Sequence, residues 1–99
     1  MANNLEELRQ AACVAETNLG DRGLDVEVSE TKYNNALYAF QNHSVTGDLD
    51  GDEFLKLSRD LADAFRMLHQ AKKNYAEARA NYDQCQTLYH DAKYGASPK

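Results

Sequence analysis

Asp48, Asp50 and Asp52 stand at alternating positions, the spacing in this 99-residue chain that comes nearest to a chemical signature. Carboxylates two apart open the oxygen cage of a calcium loop, whose sixth position is Gly for a sharp turn and whose twelfth is a bidentate Glu. Counted from Asp48, those two positions are Glu53 and Arg59, so both the turn and the closing ligand are missing. The acids are expected instead to cap a following helix through Asp50 or Asp52 and to complement its dipole. His43, His69 and His90 lie 26 and 21 residues apart, with no His or Cys partner at i, i+4 to hold zinc. Cys13 and Cys85 form no CxxC and are read as reduced, largely packed thiols. Ser44 and Thr46 have no base arranged beside them, and no pair of acids is singled out for proton transfer. The expectation is a protein that is not an enzyme and takes no cofactor and no metal.

The elements that carry these residues are read from apolar periodicity. Phe54, Leu57, Leu61, Ala64, Leu68, Ala71, Tyr75, Ala78, Tyr82, Cys85, Tyr89 and Ala92 follow one another in alternating steps of three and four. A 3.5-residue period marks the seam of a long helix packed along a partner. A second ladder runs Leu5, Leu8, Ala12, Ala15, Leu19, Arg22, Val26, Ser29, Tyr33, Ala36 and Phe40, and it keeps phase across Gly20 and Gly23. The pattern predicts an all-α fold, a long antiparallel two-helix hairpin of coiled-coil type. One helical domain spans 1–99, with helix 1 over about 4–42, a turn over about 43–51, helix 2 over about 52–93 and a disordered tail at 95–99. Asn4 with Glu7 is the expected cap of helix 1. Two glycines within four residues weaken a helix, so a kink or break at Gly20–Gly23 to give three helices is the competing architecture.

If the chain reverses near Gly47, facing residues have numbers summing to about 95. Phe40 then meets Phe54, Tyr33 meets Leu61, Leu19 meets Tyr75, and Ala12 with Ala15 lies opposite Tyr82 and Ala78. Large faces small, as close packing requires. Tyr75, Tyr82 and Tyr89 bury their rings in the seam with hydroxyls at its edge. Such a pair leaves Leu55, Phe65, Met67 and Leu88 uncovered on helix 2, and Cys13, Val14, Leu24, Val28 and Tyr38 on the back of helix 1.

Charge is unevenly divided. Residues 1–42 carry net −4 and residues 51–99 net +1, within a total of −5. Asp21, Asp25, Glu27 and Glu30 make an acidic patch beside Leu24 and Val28. Helix 2 interleaves its bases with acids at pair spacings, Arg59 with Asp63 and Arg79 with Asp83. An acidic balance without a basic cluster argues against a direct nucleic-acid or anionic-membrane surface. The N-terminus has neither the basic start nor the apolar run of a secretory leader, so a cytoplasmic location is expected, with leaderless export also compatible. In dimensions the hairpin resembles the small helical hairpins of type VII secretion, though their Trp-x-Gly turn has no counterpart in a chain without Trp.

The functional expectation is a non-enzymatic helical-hairpin interaction module, a small adaptor, chaperone or secretion partner. It forms a homodimer and binds a protein partner through its outer apolar and acidic stripes. The residues expected at that contact are Asp21, Leu24, Asp25, Glu27, Val28, Glu30, Tyr38, Phe65 and Tyr94. The alternative is a small acidic phage-type inhibitor that blocks a basic, nucleic-acid-handling site on a host protein.

Overall fold

Two long helices account for the described chain, α1 over Ala2–Thr46 and α2 over Gly51–Tyr94. The computed structural model describes the backbone of residues 2–46 and 51–95 and the side chains of 4–42 and 51–95. The expected turn at Gly47, the Asp48 and Asp50 positions of the calcium-loop and capping readings, and the tail 96–99 lie outside the described residues. So do the side chains of His43, Ser44 and Thr46.

The helix ends differ slightly from expectation. The first helix begins at Ala2, which places Asn4 inside the first turn and removes it as a cap. Its far end reaches Thr46, with no Gly or Pro between Gly23 and Gly47. Asp52 and Glu53 sit in the first turn of α2, where acids oppose the positive end of the dipole, and Lys93 sits in the last. Gly95 follows with φ of 62°, the left-handed cap that ends a helix and that a residue bearing a Cβ adopts at a cost.

The helix is continuous through both glycines, so the hairpin stands and the three-helix arrangement does not. Among the described residues a Cβ on Gly20 would meet nothing within 4 Å, and one on Gly23 would lie 3.5 Å from Tyr75 Cε1. Thr17 and Thr31 donate their hydroxyls to the carbonyls of Cys13 and Glu27, at 3.2 and 3.1 Å, and thereby stay within the helix.

The chain divides into two compact units, Met1–Gly23 with Asn74–Lys99, and Leu24–Lys73. In the first, Ala12, Ala15 and Ala78 are buried, and Leu5, Leu8, Leu19, Tyr75, Tyr82, Cys85 and Tyr89 are half-buried. The Tyr82 hydroxyl accepts a 2.6 Å hydrogen bond from Gln86 Nε2. In the second, Ala64, Leu68, Ala71 and Ser29 are buried, and Val26, Tyr33, Ala36, Phe40, Leu57 and Leu61 are half-buried. Nearly every rung of both ladders thus turns inward. Phe54 at one end of its ladder and Ala92 at the other are exposed.

Ring contacts follow an antiparallel register, on the expected pair at one place and displaced by a turn on α2 at another. Phe40 and Phe54 meet with ring centroids 5.6 Å apart. The Tyr33 ring packs on Phe65 at 5.8 Å, and Tyr75 lies close to Gly23. Helical side chains lean towards their own N-terminus, so in an antiparallel pair long side chains touch partners displaced by up to a turn from the Cα register.

Candidate functional site

The buried core consists of small side chains, five alanines with Leu68 and Ser29, and among the described residues no large side chain is fully buried. Two helices offer each other only one stripe apiece, and the remaining apolar side chains face solvent. Val14, Leu24, Val28 and Tyr38 on α1 are exposed, Tyr38 to 71%, as are Leu55, Phe65, Met67 and Leu88 on α2.

The nine residues singled out from the sequence do not gather into one site. Asp21 and Tyr94 belong to the first unit, and Leu24, Asp25, Glu27, Val28, Glu30, Tyr38 and Phe65 to the second. All nine are exposed. Leu24 and Val28, one turn apart, form a short apolar stripe on the side of α1 opposite the seam, edged by Asp25 and Glu27. Tyr38 stands on the same side of α1 about 15 Å further along, beyond Thr31 and Asn35. Phe65 is placed differently: although 57% exposed, its ring rests on Tyr33 at the edge of the seam.

Phe65 belongs to a cleft of about 350 Å³ within the second unit, lined also by Tyr33, Phe40, Ser58, Leu61 and Ala62. Ser58 and Ala62 escaped notice in the sequence because each is small and interrupts no pattern. The available signal was geometric. Ser58, Ala62 and Phe65 stand at i−3, i+1 and i+4 from Leu61, all on one flank of the seam. A second hollow, bordered by Asp63, Arg66, Met67 and Gln70, lies on α2 alone.

Tyr94 stacks obliquely on His90 with centroids 5.2 Å apart, and Lys93 Nζ lies 5.6 Å from the Tyr89 ring and 5.4 Å from that of Tyr94. The nearby Tyr89 hydroxyl, and then that of Tyr94, hold the Lys93 ammonium above its ordinary pKa. The Arg9 guanidinium donates to both carboxylate oxygens of Glu6, at 3.1 and 2.5 Å, and holds this carboxyl below its usual range. Both arrangements are exposed and local to one helix face.

Two side-chain readings change. Cys13 is not a packed thiol: it is exposed, as its place on the back of helix 1 implies, with its Sγ 3.9 Å from an Arg9 nitrogen, whereas Cys85, on the seam, is half-buried. Asp63 pairs with Arg66 at 3.2 Å and not with Arg59, whereas Arg79 and Asp83 approach to 3.7 Å as expected. Among the described residues no group of three His, Cys, Asp or Glu could hold a metal ion, and no helix is long and apolar enough to cross a membrane. Comparison of the chain with family models, curated proteins and solved structures found no match, so a functional reading rests on its own residues.

Proposed function

We propose that this chain is a non-enzymatic helical-hairpin interaction module, a small adaptor, chaperone or secretion partner that works in the cytoplasm, self-associates and docks a protein partner. The observation that carries this reading is the mismatch between core and surface. The buried residues are mostly alanines, while Leu24, Val28, Tyr38 and Phe65 lie in water. Burying apolar surface is worth roughly 25 cal/mol per Å², so side chains of this size gain by being covered. The acids around Leu24 and Val28 keep the bare stripe soluble and bias it towards a partner with basic groups at its rim.

Light scattering over a concentration series tests self-association. A mass of twice the 11.1 kDa chain is expected, and a monomer at every concentration overturns that part of the reading. Replacing Leu24 and Val28 together by Asp is expected to leave helicity unchanged and to abolish binding of a purified partner; lost helicity would place both residues in the core. A salt titration separates this contact from phosphate mimicry, which collapses between low and moderate ionic strength while an apolar stripe holds.

A further inference from the structure

We propose that the Tyr33–Phe65 cleft is the surface on which a second copy of this chain docks, about a twofold axis parallel to the helices, with Leu37 of each copy seated at Ala62 of the other. The inference rests on the self-association part of the proposed function and assigns it to one face. The Leu24–Val28 stripe is thereby left to a different protein.

The helical positions set which side chains share that face. Phe65 and Ser58, which line the cleft, stand at i+4 and i−3 from the seam residue Leu61. Leu37 and Glu30 stand at the same offsets from the seam residue Tyr33. In an antiparallel pair, residues displaced from the seam in the same rotational sense lie on the same side, so Leu37, half-buried, and Glu30, exposed, stand on the cleft side of α1. His69 and Lys72 continue the flank on α2 beyond Phe65. One face of residues 24–73 therefore carries an acid with an apolar side chain on one helix, and an apolar cleft with bases on the other.

Such a face is complementary to itself. Rotation about an axis parallel to the helices places α1 of one copy over α2 of the other, antiparallel, at the same height as within the hairpin. The rings of Tyr33 and Phe65 meet, and a Cβ on Gly23 would lie 3.5 Å from Tyr75; the numbers of each of these pairs sum to 98, and those of Phe40 and Phe54 to 94. A sum of 98 sets Leu37 level with Leu61, beside Ala62 and Phe65, and Glu30 level with Leu68, beside His69 and with Lys72 one turn beyond. Among the described residues Glu30 and Lys72 make no ion pair, and both are exposed. A partner of uniform charge would suit one flank and repel the other, whereas a second copy brings an acid to each base and a base to each acid.

Sedimentation equilibrium of the full chain tests the assignment, with circular dichroism confirming that each variant keeps its helicity. Wild type is expected to dimerise, and L37D to weaken the dimer by about tenfold or more. The decisive experiment uses E30K and K72E. Each alone places like charges at both symmetry-related contacts and is expected to weaken its own dimer. An equimolar mixture restores acid against base at both contacts and is expected to form a heterodimer. A dimer indifferent to L37D, E30K and K72E but dissociated by L24D/V28D overturns the face assigned here and leaves self-association standing. A wild-type monomer at every concentration overturns both.

Discussion

Cys13 and Cys85 show how one residue type acquires two environments from its place on a helix. Cys85 is a rung of the seam and half-buried, its Sγ 3.9 Å from Asn81 Oδ1. Cys13 follows the buried Ala12 by one position, a rotation of about 100° that takes it to the surface. An alkylating reagent under native conditions is therefore expected to modify Cys13 first and Cys85 slowly, and in denaturant at equal rates. Equal rates in the native protein would contradict the half-burial of the seam. The Glu6–Arg9 pair responds to pH with a definite sign. The folded carboxyl lies below its ordinary value, so its stabilising contribution is present above the unfolded value and is lost as the pH falls through the folded one.

Each helix depends on alanine where the other helix is bulky. Ala15 is only 2% exposed, and Ala12 and Ala78 are nearly as enclosed. Ala15→Leu is expected to destabilise the protein by roughly 1–3 kcal/mol through overpacking, despite the good helix propensity of Leu, and chemical denaturation would measure it. Gly20→Ala should act in the opposite direction. Nothing lies within 4 Å of the added methyl, so removing backbone freedom from the middle of α1 is expected to raise stability by about 1 kcal/mol. The helices were legible in the sequence because a 3.5-residue period persists through eleven rungs of one ladder and twelve of the other, and phase maintained across Gly20 and Gly23 outweighed two poor helix formers. The ends were less legible, since caps depend on single residues. Asn4 looks like a cap in sequence and lies within the helix.

At the scale of the molecule, the candidate surfaces were only partly visible in advance. Leu24, Val28 and Tyr38 could be placed opposite the seam by counting. The cleft could not, because it arises from the lean of Tyr33 and Phe65 towards each other from different helices, and from the small size of Ser58 and Ala62 beneath them. Loop lengths favour one order of folding. Joining Phe40 to Phe54 closes a loop of 14 residues, whereas bringing Gly23 to Tyr75 closes one of 52, at an additional entropic cost of about 1 kcal/mol if made first. The Leu24–Lys73 unit should therefore form early and draw the ends together afterwards, as a zip closes from its base. Pulse-labelled hydrogen exchange during refolding is expected to find amides near Tyr33 and Leu61 protected before those near Leu8 and Tyr89, and the reverse order would refute this route. Loss of structure should run the same path backwards, from the termini inwards, so that the segment bearing the cleft is the last to be surrendered.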